Sequence, residues 1–280
     1  MESLTFTPPR FIDDTKKTVI LEVGVPGWSL HWQAVQSEIA TLGRVCSYDR
    51  AGYGWSDKGT AARTIQNIVG ELNALLNAAQ ETGPYLLVGH SLGGPIALAY
   101  QNAFPDQVKG IVLVDAWGRE LFSPTPGVIK NTMSLVDTLR TMARFGIVRL
   151  AGEIGLLSLD EQLQAELLPE QLRPVYRSAY YQEKFWDTWH GELQAFEENA
   201  RLIASFRPLN SLPSQVIQAG RRLPNDYPSD KIWNQTQQSL VALSSQGKLV
   251  TTENSGHFIQ LEQPEAILQA IQQIFAAIQK

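Results

Sequence analysis

Apolar residues along this chain fall into two alternating patterns. Short apolar runs at Thr18 to Val23, Arg44 to Asp49, Tyr85 to Val88, Lys109 to Asp115, Ser214 to Gln218 and Leu249 to Glu253 are each bounded by Gly, Pro or a polar turn, and they predict strands. Between them, His31 to Leu42, Thr64 to Gln80, Leu92 to Phe104 and Pro264 to Ile278 carry apolar residues at spacings of three and four, which predicts helices. In the last of these, Pro264 stands where a helix tolerates proline, and Ile267, Ile271, Ile274, Phe275 and Ile278 make one stripe of core residues. Alternation of this kind predicts an α/β fold, a mostly parallel central sheet with helices on both faces. The glutamines of the C-terminal region sit among periodic apolar residues and are expected on solvated helix faces.

The alternation stops between about Trp117 and Leu212, where no strand-like run occurs and the pattern is helical, with breaks expected at Pro169, Pro174 and Pro208. This predicts a core of residues 1–116 and 213–280 and a helical cap of residues 117–212. Aromatics crowd the cap from Tyr176 to Phe196. Most are expected to fill helix contacts, and a minority facing the sheet would line an apolar pocket.

At 280 residues, 44% hydrophobic and 18% charged, the composition is that of a soluble globular protein. A net charge of −5 with no run of like charges gives no electrostatic footprint for nucleic acid or an anionic membrane, so the expected partner is a small apolar molecule. Neither an export leader at Met1 to Phe11 nor a membrane-spanning apolar run is expected. The lone Cys46 lies in a strand-like run and is expected to be a buried, inert thiol, which suits a reducing, cytoplasmic compartment. A monomer or homodimer is expected.

The strongest chemical signal is Tyr85-Leu-Leu-Val-Gly89-His90-Ser91-Leu92-Gly93-Gly94, an apolar strand running through a turn into a helix. Gly-x-Ser-x-Gly in that context makes a nucleophile elbow: the serine sits in a strained turn, and side chains two residues either side would collide. A serine hydroxyl needs a base, and the candidate is His257, after the last strand in Asn254-Ser255-Gly256-His257-Phe258. His90 is expected to pack or wall the pocket, while His31 and His190 lie away from the position of a base.

These motifs, with Asp49-Arg-Ala-Gly-Tyr-Gly-Trp-Ser-Asp57, resemble the serine-nucleophile group of the α/β-hydrolase superfamily, over Thr18 to Gln279 apart from the cap. The resemblance implies an oxyanion hole from the backbone N–H groups of Val25 and Leu92. Where many members carry His-Gly-x-Pro, this chain has Val23-Gly24-Val25-Pro26, and the short segment before Thr18 leaves room for a single extra strand. Many relatives carry the acid as Gly-x-x-Asp, but here Gly220 precedes Arg221, Arg222 and Leu223, with Asp226 and Asp230 further on. Asp115, closing the run Ile111 to Asp115, is favoured over Asp226, and both stay open. Arg50, Gly52 and Gly54 lack the spacing of a phosphate loop and are expected to form a structural turn.

The resulting expectation is a carboxylesterase-like hydrolase cleaving a small to medium apolar ester, thioester, lactone or amide through an acyl-enzyme. The same triad used for carbon-carbon cleavage, a lyase step or cofactor-free perhydrolysis is one alternative, and a ligand receptor with slow residual hydrolysis is another. Dehalogenase and epoxide hydrolase activities are disfavoured because their elbow carries aspartate. No metal-ligand spacing or dinucleotide fingerprint occurs, so no cofactor is expected.

Overall fold

The computed structural model describes residues 4–7, 18–122, 126–160, 163–222 and 228–278. Strands β1 (Leu4–Thr7), β2 (Thr18–Glu22), β3 (Arg44–Tyr48), β4 (Tyr85–His90), β5 (Val108–Val114), β6 (Ser214–Ala219) and β7 (Gly247–Thr252) form one sheet in the order β1-β3-β2-β4-β5-β6-β7. Neighbours from β3 to β7 are parallel, whereas β1 joins the β3 edge antiparallel with Leu4 opposite Tyr48. The six expected strands all form, and β1 is the single extra one for which the chain had room.

Helices α1 (Gln33–Leu42), α2 (Ile65–Ala78) and α3 (Gly93–Ala103) follow their strands as parallel pairing requires. Side chains alternate across the pleat, so each strand feeds two cores. Ile20, Cys46, Leu87, Ile111 and Val216 pack with the apolar stripes of α2 and α3, while Val19, Val45, Val88, Val112 and Ile217 face α1 and the C-terminal helix. Burial pushes the Cys46 thiol up to about 12, with Glu81 adding to the effect, which makes it a poor nucleophile.

Between β5 and β6 the chain is helical, with α4 (Pro126–Arg144), α5 (Ile147–Glu153), α6 (Arg173–Tyr180), α7 (Glu183–Gln194) and α8 (Phe196–Ala204). The insertion has its own core, in which Tyr176, Tyr180, Phe185 and Trp186 close on Trp28 and Tyr53 from the loops of the sheet layer. Trp28 stacks on Tyr176 with ring centres 4.4 Å apart. Pro174 does not break a helix, contrary to expectation. It stands in the first turn of α6, where the missing N–H has no intrahelical partner to lose.

After β6 come α9 (Asp230–Val241), α10 (Ile259–Glu262) and α11 (Pro264–Ile278). The apolar pattern did not single out α9, because its inward face mixes Trp233 and Leu240 with buried Thr236 and Gln237. Gln237 and Gln260 also correct the expectation of solvated glutamines. Both are buried, and Gln237 spends its amide on the Ala116 carbonyl at 2.9 Å. No helix among the described residues is long and apolar enough to cross a membrane.

Candidate active site

Strand β4 delivers Ser91 into a left-handed backbone conformation, φ 54°, before α3 begins. Few non-glycine residues tolerate this, and the strain persists because the surroundings fix it. The Ser91 N–H donates to the Val114 carbonyl at 3.1 Å, and its own carbonyl accepts from Trp117 N–H at 3.0 Å. A Cβ on Gly89 would lie 2.4 Å from the Gly93 carbonyl oxygen, and one on Gly93 would lie 2.4 Å from that of Glu22. Both flanking positions therefore exclude a side chain. On the other side, a Cβ on Gly24 would come within 2.7 Å of Ser91 Cβ, so the backbone leaving β2 rides directly against the elbow.

Asp115 follows β5 with φ 43° and is fully buried. Its Oδ1 accepts from Ala219 N–H at 2.9 Å and from the Trp233 indole N–H at 3.0 Å. Its Oδ2 lies 2.7 Å from His257 Nδ1. A carboxylate accepts, so Nδ1 carries the proton of that bond and Nε2 is left as the basic nitrogen. His257 is about one-third exposed and lines a cavity, while Asp115 sees no solvent. Asp226 lies outside the described residues, and Asp230 pairs with Arg222 at 3.1 Å.

His90 is not a base but a brace. Its Nε2–H donates to the His257 backbone carbonyl at 2.9 Å, and its ring lies 4.6 Å from the His257 ring. Burial, with His257 beside it, holds its pKa well below the ordinary value, so it braces the loop as a neutral ring. His31 is likewise buried, with Nε2 3.1 Å from the Tyr176 hydroxyl, and burial and then Arg50 lower its pKa to about 4.

The cavity beside His257 measures about 390 Å³, within the range of small-molecule sites. Its wall is Val25 from the β2 exit, Trp117 and Leu121 after β5, Ile129 of α4, and Trp189 and Phe196 of α7 and α8. Trp189 and Phe196 thus serve the cavity, whereas Tyr176, Phe185 and Trp186 serve the insertion's own core. Leu92 stands at the entry to α3, where first-turn N–H groups have no intrahelical acceptor.

Sequence reasoning missed Trp233, Arg222 and the reach of Arg50. Trp233 gave no signal, since it lies in a stretch the apolar pattern did not single out, and Arg222 lies over its ring at 4.8 Å on the cavity wall. Arg50 forms part of the expected turn, in which Gly52 and Gly54 have φ of 92° and 47°, but it is fully buried and its guanidinium reaches four acceptors.

The profile of the Alpha/beta hydrolase family matches residues 23–270. The uncharacterized protein YqjL of Bacillus subtilis is 23% identical over 260 residues, 93% of this chain and 84% of that one. The (lyso)-N-acylphosphatidylethanolamine lipase of Bos taurus is 27% identical over 131 residues, which span 44% of this chain and only 38% of the lipase. Among solved structures, a thermophilic esterase from Thermogutta terrifontis superposes with a TM-score of 0.69 at 22% identity, over 100% of this chain and 94% of the esterase. Matched over most of its length, and carrying the elbow, the histidine loop and the parallel sheet described above, the chain belongs to the alpha/beta hydrolase family.

Proposed function

We propose that this protein is a serine hydrolase that cleaves a small to medium apolar ester, thioester, lactone or amide through an acyl-enzyme, with residues 117–212 as its cap. The observation that carries the reading is the 2.7 Å bond between His257 Nδ1 and buried Asp115 Oδ2, with His257 lining a largely apolar cavity. Ser91 Oγ attacks the substrate carbonyl as His257 Nε2 takes its proton. Asp115 holds the tautomer and stabilises the imidazolium. The negative charge gathering on the carbonyl oxygen faces the N–H groups of Val25 and Leu92. Collapse breaks the bond to the leaving group, which departs with the proton from His257, and water repeats the sequence to release the acid.

The apolar wall of Val25, Trp117, Leu121, Ile129, Trp189 and Phe196 favours an acyl or alkyl chain without charge. The lipase and esterase among the relatives act in the same reaction class. Replacing Ser91 with Ala is expected to abolish both turnover of short p-nitrophenyl esters and labelling by a fluorophosphonate probe. A variant that keeps full turnover and full labelling overturns the proposal.

A further inference from the structure

Arg50 is fully buried, and its guanidinium donates to four acceptors that lie on two separate segments, Glu22 to Gly24 and α7. Nη1 bonds Glu22 Oε1 at 2.7 Å and the Val23 carbonyl at 2.6 Å, Nη2 bonds the Gly24 carbonyl at 3.0 Å, and Nε bonds Glu192 Oε1 at 3.2 Å. Glu192 lies on α7, and its other oxygen accepts from the Tyr53 hydroxyl at 2.8 Å. Tyr48 closes the opposite end by donating to Glu22. Burial alone would weaken the Arg50 cation, but Glu192 and then Glu22 outweigh it and keep its pKa above the ordinary value.

The Gly24 carbonyl matters most. It belongs to the same planar trans peptide as the Val25 N–H, so the two groups point in opposite directions and turn together. A charged donor fixed on the carbonyl side therefore fixes where the Val25 N–H points, and it polarises that N–H in the same sense. The Gly24 backbone lies against Ser91, and Val25 lines the cavity next to His257.

We propose that Arg50 is the positioning residue of the oxyanion hole, orienting the Gly24–Val25 peptide, and that Glu192 makes this orientation answer to the seating of α7. Helix α7 also carries Trp189 and Leu193 of the cavity wall. A substrate that presses on that wall thus acts on the helix whose Glu192 holds Arg50. The inference rests on the acyl-transfer reading, because it gives Val25 N–H a charge to stabilise.

The test compares Arg50→Lys with wild type and with Ser91→Ala. Lysine keeps the charge but cannot reach four acceptors in a plane. With fold confirmed by circular dichroism, kcat for a p-nitrophenyl ester is expected to fall about tenfold to a hundredfold, somewhat less than loss of a whole oxyanion donor. KM stays within about twofold, because the cavity wall is intact. Affinity for an alkyl boronic acid, whose adduct on Ser91 is tetrahedral and anionic, falls in parallel with kcat. Should Arg50→Lys not fold, Arg50→Met combined with Glu22→Gln and Glu192→Gln removes the cation and both of its acids together, so no buried charge is left without its partner. The same fall in kcat and boronate affinity is then expected of that combination. A folded variant with wild-type kcat and boronate affinity overturns the positioning role even where Ser91→Ala is dead. Activity surviving in Ser91→Ala overturns the acyl-transfer reading itself.

Discussion

Replacing Asp115 with Asn tests the triad through a constraint that the structure places on the new amide. In the wild type, Oδ1 takes two N–H donors, from Ala219 at 2.9 Å and Trp233 at 3.0 Å, and Oδ2 faces His257. An asparagine can satisfy both donors only with its carbonyl oxygen at the Oδ1 position, because the flipped amide would set N–H against N–H twice in a site without solvent. Its NH₂ group is then forced towards His257 Nδ1. That nitrogen must accept, so the ring proton moves to Nε2, and the nitrogen meant to deprotonate Ser91 is occupied. The expected loss in kcat is about four decades, or roughly 5.5 kcal/mol of barrier, the scale seen when a triad histidine is locked in the wrong tautomer. The bonds to Ala219 and Trp233 survive, so thermal stability changes little. The assay is steady-state hydrolysis of a p-nitrophenyl ester near pH 8, with fluorophosphonate labelling rates alongside and the melting temperature as control. A kcat within tenfold of wild type would refute the reasoning and point to Asp226 as the acid.

Two further outcomes follow from the cavity and from the buried histidines. Trp189→Ala opens the cavity wall, so the acyl-chain optimum shifts to longer esters, each newly buried methylene being worth about 0.8 kcal/mol or roughly fourfold in kcat/KM; an unchanged chain-length profile removes Trp189 from the substrate's path. His31, held to about 4 against an ordinary 6.5, resists a proton that the unfolded chain takes up freely, so stability falls as the pH drops from 6.5 towards 4 and levels off below. The gap amounts to about 3 kcal/mol, and His90, lowered chiefly by burial, adds a slope of the same sign. Urea unfolding across that range should be flatter for His31→Gln, and equal slopes would sink the attribution.

The sequence by itself determined the elements and the part of the chemistry that is local. Short apolar runs bounded by turn residues located six strands, because a parallel strand covered on both faces must be largely apolar whichever neighbours it meets. The elbow was legible because its demands, two glycines and a strained serine, lie within five consecutive residues. Tertiary structure decided what crosses the chain. Asp115 and His257 stand 142 positions apart, and no period records that the ends of β5 and β7 bring their loops together. Trp233 lies in a stretch that the apolar pattern did not single out, yet its indole nitrogen holds the carboxylate. Arg50 read as part of a glycine turn, yet its charge is shared among Glu22, two backbone carbonyls and a glutamate from the helical insertion. Local pattern reports how much of a residue is buried. Which donors and acceptors meet in that burial is fixed only when the loops at the ends of the strands converge.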